Sequence, residues 1–235
     1  MIRNFIFIFM AMCFSRNLSA QGNHFSIGIG PSLIYLDNSG IYQDFRFKIQ
    51  PAITISFNQQ LSENVGLRGS VGAQIFNSGE YYLAYPNKIV RWGDKDQAFG
   101  FKGRGYFADL MPVFTTNPNS SGMLNSSLQF YAGLGFGLMF VERDQQTFKN
   151  GVFKGGILIS GDIISSNETN LIPYIPIRTG VSTNLSGNWD FALEFALMTT
   201  LNSELDGNNI KDKLLTPDMS GQIQFVVKRY VGQVW

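Results

Sequence analysis

Few side chains in this sequence could carry covalent chemistry. His24 is the only histidine and Cys13 the only cysteine. Nucleophilic catalysis needs a nucleophile held against a base. No Ser/His/Asp set has a workable placement, and no thiol lies near His24. Metal sites built on imidazole and thiolate lack their usual ligands. Asp94-Lys95-Asp96 begins like a calcium loop but lacks the downstream Gly and Glu such a loop requires. Gly133-Leu134-Gly135-Phe136-Gly137 has the glycines of a phosphate loop without its following helix or Lys-Ser/Thr pair. Asn167-Glu168-Thr169 is a formal glycosylation acceptor only. The expectation is a chain that is not an enzyme, with no cofactor, no metal and no small-molecule substrate.

What remains is a set of charged residues placed on one face of alternating segments. They are Arg46, Lys48, Arg68, Lys102, Arg104, Asp109, Arg178, Asp190, Glu194 and Lys228. If that face is enclosed, the charges must be paired. One reading is a plug of ion pairs and hydrogen bonds. The other is a narrow pore whose surplus of cations favours anions. The core of the proposed lumen network is Arg46, Lys48, Arg68, Arg104, Asp109, Arg178, Asp190 and Glu194.

The elements that hold these residues begin after an export signal. Arg3, the apolar run Phe5 to Phe14, and Leu18-Ser19-Ala20 form a secretory signal over residues 1–20, cleaved before Gln21. Its apolar run falls short of the roughly 20 residues a spanning helix needs. Cleavage removes Cys13, Arg3 and Arg16, leaving residues 21–235 near neutral and without thiols. No basic surplus points to nucleic acid. Charged residues make up 15% of the chain, against roughly 25% in soluble domains. Apolar, aromatic-rich and without a spanning helix, such a chain crosses lipid only as a closed β-barrel.

Alternation supports this. Phe45 to Phe57 places Phe47, Ile49, Ile53 and Ile55 on one face and Arg46, Lys48, Gln50 and Thr54 on the other. Segments beginning near Phe25, Val65, Leu128, Ile175 and Trp189 repeat the pattern. Phe99 to Phe114 changes face near Gly105, which predicts a bulge there, and Met219 to Trp235 loses the pattern near Arg229. The segments number eight, so the predicted fold is an all-β, eight-stranded antiparallel transmembrane barrel, an up-and-down meander spanning 21–235. Connections 58–64, 115–126 and 185–188 read as periplasmic turns. Connections 37–44, 78–98, 142–171 and 200–218 read as extracellular loops. The apolar stretches Tyr81 to Trp92 and Phe148 to Ile164 predict loops that cover the barrel mouth or dock on a partner.

The chain resembles the small eight-stranded barrels of Bacteroidota, and among them the PorG-like family associated with type IX secretion. Gly30 to Asp37, Phe99-Gly100-Phe101-Lys102 with Asp109-Leu110, Phe130 to Gly135, Ile175 to Glu194 and Thr199 to Asp206 carry the likeness, with Thr200 to Asp206 replacing the usual acidic-aromatic run. The resemblance implies a scaffold or adaptor in the cell outer membrane that anchors periplasmic machinery through a periplasmic or lipoprotein partner. Asn117, Pro118 and Asn119, in the longest short-end turn, are the first expected contact. The alternative is a narrow transport or adhesion barrel acting through its extracellular loops. An outer-membrane lipid A deacylase or palmitoyl transferase would need a catalytic His beside a Ser, and His24 is badly placed for that.

Overall fold

The structure, a computed structural model, describes residues 23–38, 48–79, 86–116, 128–154, 157–183, 185, 188–202, 204–208, 215 and 217–231. Residues 1–20, read from the sequence as an export signal, Arg46 and the segment Asn117-Pro118-Asn119 lie outside the described residues. In chain order the elements are β1 (His24–Tyr35), β2 (Gln50–Gln60), β3 (Val65–Asn77), α1 (Pro86–Gly93), β4 (Ala98–Thr115), β5 (Leu128–Leu134), β6 (Phe136–Lys154), β7 (Ile157–Thr183), β8 (Trp189–Thr200) and β9 (Met219–Tyr230).

All strand pairings are antiparallel: β1 to β4 and β7 to β9 pair in chain order, and β9 returns to β1, with Tyr230 opposite His24 and Met219 opposite Tyr35. β5 and β6 are two halves of one stave. Both pair with β4 on one side and β7 on the other, and the Gly135 N–H between them donates to the Pro176 carbonyl at 3.1 Å. The described strands therefore close an eight-stave ring. Closure matters because no water reaches a wall embedded in lipid, so an unpaired edge would leave backbone polar groups unsatisfied.

The side chains sort by parity. On β1, Phe25, Ile27, Ile29 and Leu33 face out while Ser26 and Ser32 are buried. On β2, Ile53, Ile55 and Phe57 face out while Thr54, Ser56 and Asn58 are buried. On β8, Phe191, Leu193 and Phe195 face out opposite buried Asp190, Ala192 and Glu194. A water-soluble barrel would reverse this arrangement, since apolar area exposed to water costs about 25 cal/mol per Å². The outward belt is a lipid-facing surface and the barrel spans a membrane.

Two expectations need correction. The strand around Gly105 does not change face. From Phe101 to Val113 the odd residues point in and the even residues point out, and the register shift falls earlier, between Ala98 and Gly100. Gly105 is an interior position whose missing side chain makes room for Phe76: a Cβ there would lie 2.4 Å from the Phe76 ring. Phe101 and Phe107 thus belong inside, and Lys102 and Arg104 outside.

The second correction concerns 142–171, expected as a loop. It is a β-hairpin. The β6–β7 ladder runs on from Val141 opposite Asn170 to Lys154 opposite Ile157, with irregularities around Val152. Its residues lack an apolar stripe because Glu142, Asp144, Asn167 and Glu168 have left the lipid, so a rule keyed to apolar alternation misses them. α1 braces this hairpin. Ile89 and Trp92 pack with Phe99 against Phe148, and Lys149 forms an ion pair with Asp96. Gly93 is required there: a Cβ would lie 1.6 Å from the Phe148 carbonyl oxygen.

Leu193→Arg tests the lipid-facing assignment. A cation on this belt should destabilise the barrel in lipid vesicles by up to about 2–4 kcal/mol, read from urea unfolding. A neutral or solubilising effect would mean that Leu193 faces water.

Candidate functional site

The interior of the barrel is the most organised polar region of the molecule. Parity sends the charged residues of β3, β4, β7 and β8 to the same level inside a narrow ring. Glu194 lies at the centre and is fully buried. Its Oε2 accepts from Arg68 Nη1 at 2.5 Å and from the Tyr131 hydroxyl at 2.8 Å. Its Oε1 accepts from Arg178 Nη1 at 3.0 Å and from Arg68 Nη2 at 3.3 Å. Arg178 continues the chain, donating through Nη2 to Asp109 Oδ2 at 3.1 Å, and the Tyr174 hydroxyl donates to the same oxygen at 2.9 Å. The Lys228 ammonium lies 4.1 Å from the centroid of the Tyr131 ring. The hydrogen bonds and ion pairs thereby cross-link five staves through the lumen, and the Lys228 contact adds a sixth.

A second, uncharged layer joins β2, β3 and β9. Gln222 Nε2 and Ser220 Oγ both donate to Gln74 Oε1, at 2.6 Å and 2.9 Å. Gln224 Nε2 donates to Thr54 Oγ1 and to Gln222 Oε1, both at 2.9 Å. Nearer the long-loop end the filling turns apolar, with Ile34, Phe76, Phe101, Met139, Ile172 and Met198 in one cluster. An eight-stave barrel is just wide enough for side chains to fill it. Among the described residues the lumen is packed at both levels.

The sequence-based set divides accordingly. Arg68, Asp109, Arg178 and Glu194 come together in one network. Asp190 is buried but separate, near the end of the barrel that holds His24 and Tyr230. It accepts from Leu185 N–H at 2.9 Å, Thr183 Oγ1 at 3.1 Å and the Tyr230 hydroxyl at 2.9 Å. Lys48 is exposed ahead of β2, and Arg104 faces outward with Lys102, so none of these three enters the lumen. Their removal takes three cations out of the expected surplus, and Arg46 lies outside the described residues. Of the ten charges expected inside, the described ones that are buried are Arg68, Arg178 and Lys228 with Asp109, Asp190 and Glu194, three of each sign.

The sequence reading missed the glutamine layer, although strict alternation of Ser220, Gln222 and Gln224 carried the signal. It also missed an acidic group outside the wall. Asp37, Asp206 and Asp218 are all buried at the long-loop end, and one carboxylate oxygen from each lies within 4.8 Å of the others. Such residues, far apart in sequence, share no local motif. They meet because each follows or precedes a strand end on the same rim.

No family model matches the chain, and no curated protein matches it. Among solved structures it is similar to Neisserial surface protein A, at 13% identity and a TM-score of 0.49, covering 89% of this chain and 97% of that one. It is similar to Ail, the attachment invasion locus protein of Yersinia pestis, at 13% identity and a TM-score of 0.43, covering 88% and 97%. The outer membrane protein OprG from Pseudomonas aeruginosa gives 11% identity and a TM-score of 0.42, covering 90% and 98%. At these scores the likeness carries no functional weight; the barrel follows from the closed strand register itself.

Removing one member of a buried ion pair leaves the other charge unpaired. Arg178→Ala should cost about 3–5 kcal/mol in urea unfolding of micelle-bound protein. Tyr131→Phe, which deletes one hydroxyl from the same carboxylate, should cost about 1 kcal/mol. Equal effects of the two would refute Arg178 as the bridge between Glu194 and Asp109.

Proposed function

We propose that this chain is a non-enzymatic barrel of the cell outer membrane whose lumen is a structural plug and whose working surface is the outward β6–β7 hairpin. The filled, charge-balanced interior carries this reading. Among the described residues it engages the buried carboxylates with guanidinium and phenol donors.

Orientation follows from connection lengths. Bacterial barrels keep short turns in the periplasm and longer loops outside. The short connections share an end with His24 and Tyr230, so the hairpin faces the exterior. Residues 157–173 of β7 extend past its pairing with β8, roughly 55 Å of strand at about 3.3 Å per residue. Among the described residues the strand ladder of β7 short of Pro173 is with β6 alone, so its other edge offers backbone donors and acceptors to an incoming strand. Ile163 and Ile164 are about half exposed on it. This is the adhesion form of the alternative drawn from the sequence.

The adaptor reading places the partner on the opposite side, at Asn117, Pro118 and Asn119. It is supported by the resemblance to the PorG-like barrels and by the length of that turn. A photo-crosslinking residue at Ile163, compared with one at Asn119 in intact cells, separates the two. Adducts from position 163 alone support the hairpin, and adducts from 119 alone support a periplasmic or lipoprotein partner. In planar bilayers the purified protein should pass no steady current. Open-channel steps would overturn the plug.

A further inference from the structure

The lipid-facing wall carries a groove of about 890 Å³ that crosses β9, β1, β2, β3 and β4. Its size lies within the roughly 300–1,000 Å³ of ordinary ligand clefts. One row of its lining runs across all five strands by register: Phe225, Ile29, Ile53, Ala73 and Tyr106. Four of these are large and exposed. Ala73 offers only a methyl, so the floor dips between Ile53 and Tyr106.

The next row toward the long-loop end holds Pro31 opposite Pro51, and Ile75 opposite Arg104. Two prolines can face each other across an antiparallel ladder only as a non-hydrogen-bonded pair. The backbone of Pro51 then points toward β3, where it has no N–H to donate. Among the described residues the β2–β3 ladder stops there, at Ala52 opposite Gln74, while β3 and β4 stay paired up to Asn77 opposite Lys102. A notch therefore deepens the groove at its outer end.

The charged group in the lining is Arg104. Ten residues separate it from Phe114, which stands opposite Val65 at the short-turn end. That is about 33 Å of strand at about 3.3 Å per residue, or about 25 Å along the membrane normal at a tilt of about 35–45°. An apolar band of a barrel wall is about 25 Å tall, and aromatic girdles flank it. Arg104, with Tyr106 beneath it, thus stands where acyl chains give way to head groups. Lys102 is exposed two residues beyond it, and Lys48 is exposed beside the lining residue Ile49. Glu142 and Asp144 lie opposite Arg104 and Lys102 on β6, across β4 from the groove, and no carboxylate lines the groove itself.

We propose that this groove retains one phosphate-bearing lipid from the leaflet at the long-loop end, with an acyl chain over Ala73 between Ile53 and Tyr106 and the phosphate on the Arg104 guanidinium. A guanidinium presents a planar fork of donors that matches phosphate oxygens. The groove opens on the lipid belt, so its occupant arrives from the bilayer. Which end of the barrel holds a protein partner does not bear on this site.

The test uses the whole protein refolded in detergent micelles, with native mass spectrometry counting retained lipid. The probes are dimyristoyl phosphatidic acid, dimyristoylglycerol and inorganic phosphate. The wild type should keep one phosphatidic acid per chain and should not keep the diglyceride, which has the same chains without the phosphate. Arg104→Gln should weaken retention about tenfold or more, as expected for loss of a hydrogen bond to a charged group. Ala73→Phe, which fills the dip and leaves the charge, should weaken it as much. Leu193→Phe, on the far wall, should leave it unchanged. All three positions face lipid, and the wild type is read directly, so a poorly folded variant does not hide the answer. Retention of no lipid by the wild type would overturn the site. Equal retention of the diglyceride would overturn the phosphate contact, and undiminished retention by Ala73→Phe would overturn the groove as its seat. Displacement of the lipid by inorganic phosphate would overturn a lipid as the occupant.

Discussion

A polypeptide wall in hydrocarbon has no solvent to satisfy its backbone, and closure of the β1–β9 seam removes the last free edge in the spanning part. Everything else in the molecule is conditioned by that ring. Once eight staves close, the circumference is fixed and so is the interior volume. Side chains of one parity must then fill a space that neither water nor lipid enters freely. The other parity is released to be as apolar as the surroundings, which is why Phe, Ile and Leu lie where a soluble protein would place Lys and Glu.

Filling a narrow tube with charges succeeds only when the charges cancel. Glu194 is tolerated at full burial because two guanidinium groups and a phenol converge on it from β3, β5 and β7. Asp109 is tolerated because Arg178 reaches it with its second nitrogen while Tyr174 caps the same oxygen. Such a network gains less in stability than its Coulomb energy suggests, because each ion gives up its hydration. Its effect is specificity: only one register of β3, β7 and β8 brings these partners together, so a slipped strand would leave buried ions unpaired. Glycines complete the fit. Gly137 leaves room for the Tyr174 ring and Gly180 for the Tyr131 ring, the two phenols that finish the network.

The outer end is built on different terms. Above the lipid belt the β6–β7 ladder needs no apolar face, and it persists through backbone pairing, cross-strand polar contacts such as Asn167 to Asp144 at 2.8 Å, and the brace from α1. A free two-stranded ribbon is marginal in water. Here β4 adds a third strand up to Thr147, and Phe148 buries its ring near Gly161, where a Cβ would lie 2.0 Å from it. The hairpin is therefore a held projection of the barrel wall. Beside it the rim carboxylates join two connections distant in sequence.

The amino-acid order by itself determined the architecture, since period-two alternation is a local property that any strand must show. Phe25 to Leu33, Ile53 to Phe57 and Phe191 to Phe195 declare their faces without reference to anything beyond their neighbours. It determined the inward parity of Arg68, Asp109, Arg178 and Glu194 for the same reason. Tertiary structure alone decided which of those charges meet, because the level at which each enters the lumen depends on strand stagger. It sent Lys102 and Arg104 outward, because interior glycines imitate a break in the pattern. It turned 142–171 into a hairpin, because strands beyond the lipid lose the apolar signal. It also gathered Asp37, Asp206 and Asp218, because closure of a ring brings strand ends together whatever their separation along the chain.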